Sequence, residues 1–380
     1  MSSFDKSAVE VASLSVGELS RVSEALVGKE ATDCWQLSNG ACAANYGVYF
    51  DEDKVVVKAV VGADSGTLAV NLLSVLKQLE GTGVAPAPRS DVVVPCATHD
   101  GRKACAVAMS LVPGKPANEL VRRDGVPAVE AYGEIGTTLG KLHSSSSSPG
   151  VVALQDDEGA SSGASSANQA NVKNDVADPR YLETFVRVVS LEETLRRDCD
   201  DVFGEWATAR LDGARRALGR RDLPRGLLHG DPYADNHVLV WDSDKKAVTR
   251  ATLVDWEDVA VGPFAYDLAC ALVACAFPVV VEKKESDSTF SADLDADVAA
   301  AVLRNYASQR PAFSRDEATA LTDLMLANVL ACATYRWHQF NVVDPKSPPP
   351  AKESYREMLA IAKAIEHDDR IASLAATYCA

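Results

Sequence analysis

Polar residues that could bind a cation and move a proton fall in two short loops, each next to an apolar segment with strand character. In the first loop, Asp231 and Asn236 stand five positions apart, and the apolar segment His237–Trp241 follows directly. The second loop starts at Asp255, after the apolar segment Ala251–Val254. Two strands that pair through a short turn bring their outer ends together. We therefore expect Asn236 and Asp255 to lie close enough to share one cation.

These side chains fit the needs of phosphoryl transfer from a nucleotide. Mg²⁺ binds oxygen ligands, and in such sites it takes one or two from the protein and others from the phosphates. The transfer also needs a carboxylate that orients the acceptor hydroxyl and accepts its proton. The residues therefore suggest Asp231 as the catalytic base, Asn236 and Asp255 as ligands of Mg²⁺, and ATP as the phosphoryl donor. The alternative is that both acids only end strands in solvated turns.

The wider sequence around these residues resembles a known family. His229-Gly230-Asp231, followed by Asn236, resembles the catalytic loop of the aminoglycoside phosphotransferases, and the run Gly262–Ala269 resembles a segment that follows it in that family. The family includes homoserine, choline, fructosamine and methylthioribose kinases and shares the fold of protein kinases. The resemblance implies a small-molecule kinase.

The resemblance also implies a role for each matching residue. It makes Asp231 the base, Asn236 a metal ligand, and Asp255 the counterpart of the aspartate in the D-F-G motif of protein kinases. Structural support is implied for His229 and Asp267, with Asp267 bracing the catalytic loop, and a structural role is implied for His143 at the end of a predicted helix.

A lysine in the N-terminal part extends the match. Lys58 lies in the strand-like run Val55–Val60 and resembles the kinase lysine that reaches the α- and β-phosphates; the alternative is a solvent-facing lysine on an ordinary strand. Protein kinases pair this lysine with a glutamate on the next helix. The predicted helix Thr67–Leu79 has no acidic residue, so either Asp64 or a different partner is expected to pair with Lys58.

Two further segments are assigned by the resemblance to nucleotide binding. Gly40 and Asn45 match the G-x-x-x-x-N form of the loop that covers the phosphates, although a plain hairpin turn is the alternative. The segment Met109–Gly114 falls where the family crosses between lobes. There the backbone from Ser110 to Val112 is implied to bind the edge of adenine.

The acceptor is predicted less sharply than the reaction. The order Asp-x-aromatic-x-Asp-Asn from Asp231 to Asn236 resembles the homoserine kinase version, which favours an amino acid or amino alcohol that bears a hydroxyl. Arg336 could bind an acceptor carboxylate through two hydrogen bonds or could pair with a local acid. The acceptor-binding candidates are Glu257, Asp258, Tyr335, Arg336, Trp337 and His338.

Other functions remain open at this point. The acidic residues would also suit choline, ethanolamine, hydroxylysine or an aminoglycoside as acceptor. An ATP-binding pseudokinase or regulatory module is an alternative of another class, although Lys58, Asp231, Asn236 and Asp255 are all present. A protein kinase is disfavoured because the sequence lacks the H-R-D arrangement and a clear A-P-E segment.

The predicted elements that position these residues form an α+β, bilobal protein kinase-like fold. The N-terminal nucleotide-binding lobe, residues 1–112, contains a leading helix (5–28), a small antiparallel sheet and one main helix. The C-terminal lobe, residues 113–380, is larger and mostly helical, with a flexible insertion at about 144–174. Its one β-like interruption is expected at Gly226–Trp241 and Ala251–Val254. Its helices are predicted at 126–143, 181–199, 205–218, 293–310, 315–341 and 351–378.

Composition limits the partners and the compartment. The net charge of −16 argues against binding to nucleic acid or to an anionic membrane surface. The nine cysteines never form C-x-x-C, so we expect neither a zinc ribbon nor a disulfide framework. No secretory signal is evident, and Leu268–Val281, the longest apolar stretch, is too short to span a bilayer and reads as a buried helix. We expect a soluble cytoplasmic protein, and the sequence leaves its oligomeric state open.

Overall fold

The computed structural model describes residues 13–39, 43–51, 53–63, 65–145, 192–199, 201–256, 258–283 and 288–379. The first helix, α1, spans Val16–Val27. It starts one residue after Ser15, whose side-chain oxygen accepts a hydrogen bond from the Glu18 amide, and it ends at Gly28 in the left-handed region. The predicted helix 5–28 was therefore too long over residues 13–15, because the cap at Ser15 sets a later start.

An antiparallel sheet of five strands follows α1, in the order β1-β2-β3-β5-β4. Helix α2, Ser65–Gln78, follows β3. Strand β4 starts only at Val94, because the Ser90 hydroxyl exchanges hydrogen bonds with the backbone of Val92 and holds a turn there. The strands are β1 Asp33–Asn39, β2 Ala43–Phe50, β3 Asp53–Val61, β4 Val94–Ala97 and β5 Lys103–Ser110.

The two faces of this sheet have different partners. On β3, Val55 and Val57 pack in a cluster with Leu19 and Val22 of α1. Side chains alternate between the faces of a strand, so Lys58 points to the opposite face. That face looks toward the C-terminal part of the chain.

The C-terminal part is mainly helical, as predicted. Helices α4 and α8 pack closely, because α4 has glycines where α8 approaches: a Cβ atom at Gly136 would overlap the carbonyl oxygen of Val302. The helices are α3 Ala117–Arg123, α4 Ala128–Ser145, α5 Glu192–Asp198, α6 Asp201–Leu218, α7 Phe264–Cys275, α8 Ala296–Gln309, α9 Arg315–His338, α10 Pro349–Lys352, α11 Ser354–His367 and α12 Arg370–Thr377.

Helix α9 runs through the centre of this part. It begins with a reciprocal cap between Ser314 and Glu317 and continues into a π-helical turn, Gln339–Val343. By length and composition alone, Arg315–Val343 could cross a membrane, but 67% of its most apolar window is buried inside the protein. It is packed as a core helix.

Several predicted segments need correction or lie outside the described residues. Helix α4 includes Ser144 and Ser145, where the insertion was expected to start, and the Ser144 hydroxyl donates to the carbonyl of Gln309. The rest of the insertion, and residues 181–191 of one predicted helix, lie outside the described residues. The predicted helix 351–378 is divided among α10, α11 and α12.

Short strands interrupt the helices around the candidate site. Strands β8 and β9 form an antiparallel hairpin, β6 pairs with β8, and β7 pairs with β10. The strands are β6 Lys115–Pro116, β7 Arg225–Leu228, β8 His237–Asp242, β9 Ala247–Leu253 and β10 Ala260–Pro263.

A second hairpin, β11 Val279–Lys283 with β12 Ser288–Ala292, was not predicted. The apolar stretch Leu268–Val281 was expected to be one buried helix, but α7 ends at Cys275. Pro278 cannot donate a helical hydrogen bond, and the β-branched run Val279–Val281 after it favours a strand.

Candidate active site

The β8–β9 hairpin brings the two predicted loops together. His237 at the start of β8 pairs with Leu253 at the end of β9, and the Val254 amide donates to the Asn236 carbonyl at 2.9 Å. Asn236 and Asp255 therefore lie at the same end of the hairpin, as the sequence predicted.

The catalytic loop starts at the end of β7 and is held from below by one carboxylate. Both oxygens of Asp267, on α7, accept backbone hydrogen bonds: Oδ2 from the His229 amide at 2.7 Å and Oδ1 from the Gly230 amide at 3.0 Å. Asp267 is fully buried. The carboxylate thus fixes the two residues that precede Asp231.

Gly230 is required where it stands. Its φ of +86° lies in the left-handed region, and a Cβ atom there would overlap the carbonyl oxygen of Asp258. The backbone after β9 therefore lies directly against the backbone before Asp231, and only glycine allows this approach.

The His229 ring connects the same two loops. Its Nε2 lies 2.9 Å from the Val254 carbonyl oxygen, so Nε2–H donates and Nδ1 is left to accept. The Asp231 amide approaches Nδ1 at 3.4 Å. The ring is buried against Trp256, with centroids 4.6 Å apart. Burial lowers the pKa of His229, so the ring stays neutral. Its position agrees with a structural role.

Asn236 holds the side chain of Asp231 directly. The Asn236 Nδ2 group donates to the Asp231 carbonyl oxygen and to its carboxylate Oδ2, both at 2.9 Å. Because the amide nitrogen is used inside the loop, the amide oxygen is the atom that Asn236 can offer to a cation.

Asp231 lies among other acids. Desolvation raises the pKa of Asp231 well above its usual range, and the nearby carboxylates of Asp258, Asp235 and Asp255 raise it further, while the hydrogen bond from Asn236 opposes them. A carboxylate with a raised pKa is a stronger proton acceptor when ionised. The same acids give the surroundings of Asp231 a negative charge.

Lys58 reaches across from the N-terminal sheet to this site. Its ammonium group forms an ion pair with the carboxylate of Asp255, and the Lys58 side chain is only 3% exposed. Asp255 itself has a φ of +68°, which is unusual for a residue with a side chain. Helix α2 carries no acidic residue, as the sequence indicated, and Asp64 lies outside the described residues. The structure thus brings Lys58 to Asp255.

The sheet face that carries Lys58 faces the loops that hold Asp231 and Asp255. Asn45 is the cross-strand neighbour of Lys58, and the predicted Gly40 lies outside the described residues. One row further along, Gly47 pairs with Val56, and the Trp35 indole lies across Gly47, where any side chain would overlap it. This sheet face therefore has a polar end at Lys58 and an aromatic end at Trp35.

The two predicted adenine contacts lie at the end of β5. The Ser110 amide donates to the Ala87 carbonyl at 2.8 Å, and the Ser110 hydroxyl accepts from the Ala87 amide at 2.9 Å. The Ser110 amide is thus already used. Val112 lies in the irregular connection between β5 and β6.

The acceptor candidates on α9 do not all face the site. Arg336 donates to the Ser354 carbonyl and to Glu357, both at 3.2 Å, so the local-acid alternative is the observed one. Trp337 is 5% exposed and packs near the Phe203 ring. Trp337 is therefore packed in the core, and its role as an acceptor contact stays a prediction.

The remaining candidates are placed differently. Asp258 lies close enough to Asp231 to raise its pKa. Tyr335 and His338 are half-buried on α9, and Glu257 lies outside the described residues.

Sequence reasoning missed a polar cluster between the catalytic loop and α9. The Tyr233 hydroxyl donates to Asn328 Oδ1 at 2.8 Å and lies 2.8 Å from the sulfur of Cys332. Asn328, Cys332 and Arg336 recur at every fourth position of α9. That spacing on a predicted helix was the available signal for a shared face.

Sequence comparison finds a family and relatives for this chain. A sequence model of the phosphotransferase enzyme family (APH) matches residues 36–318. A homoserine kinase of Methylobacterium radiotolerans is 34% identical over 91 residues, which cover 24% of this chain and 23% of that protein. A homoserine kinase of Methylocella silvestris is 34% identical over 136 residues, which cover 34% of this chain and 36% of that protein. The match thus spans only about a quarter to a third of each relative.

Solved structures show the same fold. The GDP complex of aminoglycoside 2'-phosphotransferase-IIIa superposes with a TM-score of 0.53 at 13% identity, covering 89% of this chain and 94% of that one. A microcompartment-associated aminopropanol kinase superposes with a TM-score of 0.51 at 15% identity, covering 90% and 93%. The predicted α+β, protein kinase-like fold is confirmed, and because the family match covers most of the chain, this protein belongs to the phosphotransferase enzyme family.

Proposed function

We propose that the protein is an ATP-dependent small-molecule kinase that transfers the γ-phosphoryl group to the hydroxyl of an ammonium-bearing acceptor, with a homoserine-like amino acid or amino alcohol favoured. The observation that carries the proposal is the convergence of Asp231, Asn236, Asp255 and Lys58 at one end of the β8–β9 hairpin. Family membership and the homoserine kinase relatives support it.

Each of these side chains has a task that its chemistry suits. Asp231 accepts the proton of the acceptor hydroxyl, and its hydrogen bond from Asn236 keeps the carboxylate in one orientation. Lys58 contributes positive charge to the phosphates. The oxygens of Asn236 and Asp255 would hold Mg²⁺, which supplies charge neutralisation for the transferred group. These hard oxygen donors fit such a cation.

The negative charge beside Asp231 favours a cationic acceptor. Asp235 and Asp258 both act on the Asp231 carboxylate, and an ammonium group bound near them would offset that repulsion. Homoserine, amino alcohols, choline and aminoglycosides all carry a positive charge. Because Arg336 is held by Glu357, recognition of an acceptor carboxylate would need another group.

An ATP-binding regulatory module remains the alternative from another class. Such a module needs no catalytic base, whereas this chain holds its candidate base in a partly buried, hydrogen-bonded loop. We further propose that the protein acts in the cytoplasm.

An acceptor panel tests the proposal. The purified protein is incubated with MgATP and, separately, L-homoserine, 1-amino-2-propanol, ethanolamine, choline, 5-hydroxylysine or kanamycin, and ADP release is measured. The panel also includes 3-amino-1-propanol, which is homoserine without its carboxylate, so that comparing these two isolates the effect of the carboxylate, and comparing ethanolamine with choline tests the need for N–H donors. We expect acceptor-dependent turnover with one class. Thermal stabilisation by ATP without turnover on any member would favour the regulatory module.

A further inference from the structure

A chain of buried polar side chains lies beneath the catalytic loop and extends away from it to the start of α9. Its members come from α7, α4, α8, the residue after α8, and α9, and none is more than 4% exposed. They are Asp267, His143, Tyr306, Arg310 and Glu317, and we call them the buried chain.

Successive members of the buried chain are within hydrogen-bonding distance. His143 Nε2 lies 3.2 Å from Asp267 Oδ2, and His143 Nδ1 lies 2.9 Å from the Tyr306 hydroxyl. Arg310 approaches the same hydroxyl at 3.4 Å and donates to Glu317 Oε1 at 2.7 Å. A route of direct contacts thus joins Glu317 to the carboxylate that holds the catalytic loop.

The chemistry of the two ends fixes the direction of these bonds. Arginine can only donate, and an ionised carboxylate can only accept. The Tyr306 oxygen must therefore accept a hydrogen bond from Arg310, and the Tyr306 hydroxyl must donate a hydrogen bond to His143 Nδ1. His143 in turn must donate from Nε2 to Asp267. Burial lowers the pKa of His143, which keeps the ring neutral and its Nδ1 able to accept.

Packing holds the same rings in place. The His143 ring stacks on Phe264 with centroids 4.6 Å apart, and the Arg310 guanidinium carbon lies 4.8 Å from the centroid of the same Phe264 ring. Phe313 meets Tyr306 edge to face at 5.5 Å. Because these side chains cannot rotate freely, loss of one hydroxyl would leave a vacant hydrogen-bonding position rather than a rearranged network.

We propose that Tyr306 and Arg310 are positioning residues for phosphoryl transfer: through His143 they fix the Asp267 carboxylate, which in turn fixes the backbone of His229 and Gly230 immediately before Asp231. The proposal rests on the proposed kinase function. Neither residue approaches the reacting atoms, and both act through the loop. A displacement of a catalytic group by about 1 Å is enough to slow a reaction substantially.

Tyr306→Phe tests this with the smallest change, because it removes only the hydroxyl. We expect kcat to fall about fivefold with the KM for ATP unchanged, a size typical of a residue that acts through others. Tyr46→Phe is the matched control. It also removes a buried tyrosine hydroxyl that accepts a hydrogen bond, here from the Leu14 amide at 2.6 Å. Tyr46, however, lies on the sheet face that packs against α1, opposite to the face of Lys58. This control should lose stability without losing kcat.

Hydrogen exchange of the loop amides gives a readout that does not need turnover. In Tyr306→Phe the amides of His229 and Gly230 should exchange faster than in the wild-type protein, whereas Tyr46→Phe should leave them unchanged. Unchanged exchange and unchanged kcat in Tyr306→Phe would overturn the proposal. Faster exchange in a protein that turns over no acceptor would instead retain the positioning role and reject the kinase function.

The direction of the buried chain is tested at His143. Glutamine can donate from its amide nitrogen near the position of Nε2 and accept at its oxygen, whereas leucine can do neither. We expect His143→Gln to keep more of the wild-type kcat and slower exchange than His143→Leu. Equal values for the two variants would show that hydrogen bonding through this position does not matter. NMR should find the proton of His143 on Nε2, and a proton on Nδ1 would reverse the proposed direction.

Discussion

The catalytic loop and Lys58, which meet at Asp255, are held in place in different ways. The loop is fixed by backbone and side-chain hydrogen bonds from its own hairpin and from Asp267 beneath it. Lys58 comes from another sheet and reaches the site through an ion pair. The proposed base, Asp231, is therefore organised by the fold of the C-terminal part, whereas the position of Lys58 depends on how the N-terminal sheet packs against that part.

Of the variants that separate the loop from Lys58, we expect the largest effect at Gly230. Gly230→Ala would place a Cβ atom on the Asp258 carbonyl and push the two loops apart. We expect kcat to fall about a hundredfold, because the base is displaced. Gly101→Ala is the control, since Gly101 also has a positive φ of +83° but has open space around it. Steady-state kinetics of both variants is the measurement. If both variants lost kcat equally, strain from a side chain at positive φ would be responsible rather than the overlap with Asp258.

An intermediate effect is expected on the lysine side. Lys58→Met removes the ion pair with Asp255, and we expect a higher KM for ATP together with a kcat about tenfold lower, the size of one charged hydrogen bond. Lys54→Met changes a lysine four residues earlier in β3, where the ammonium lies over the Tyr49 ring, and should be nearly neutral. A wild-type KM for ATP in Lys58→Met would contradict the assigned role of Lys58.

The smallest expected effect is on stability at acid pH, and it belongs to the loop side. Burial lowers the pKa of His143 in the folded protein, while the unfolded chain titrates near pH 6.5. Below about pH 6.5 the unfolded state therefore binds a proton that the folded state resists. Stability is fully present above that pH and falls as the pH decreases, by at most about 1.4 kcal/mol per pH unit for this residue.

Urea unfolding at pH 7 and pH 5 measures this effect. His143→Gln should weaken the pH dependence relative to wild type, and His367→Gln, on the exposed end of α11, should not. An unchanged pH dependence in His143→Gln would show that His143 is not held neutral by the fold.

The same contrast explains how much the sequence could reveal. Asp231, Asn236 and Asp255 are close in the sequence and joined by a hairpin, so local pairing was enough to predict that they meet. The kinase-like fold was predictable for the same reason, because its motifs stand in order along the chain.

Longer-range features could not be predicted in this way. Lys58 and Asp255 are separated by 197 positions, and His143 and Tyr306 by 163. The pairing of such residues depends on how whole elements pack, which periodicity does not encode. The surroundings of Trp337 and Arg336 could not be predicted either, because a helix pattern gives a face but not what covers it. The β11–β12 hairpin was missed because a short apolar run has no distinctive period.

The central claim is that Asp231 accepts the proton of the acceptor hydroxyl. The direct test measures ADP release and ATP binding for Asp231→Asn, with Asp244→Asn in the exposed β8–β9 turn as the control. We predict that Asp231→Asn still binds ATP but loses kcat by a factor of about 10² to 10⁴, while the control keeps both. Turnover by Asp231→Asn at the wild-type rate would contradict the account.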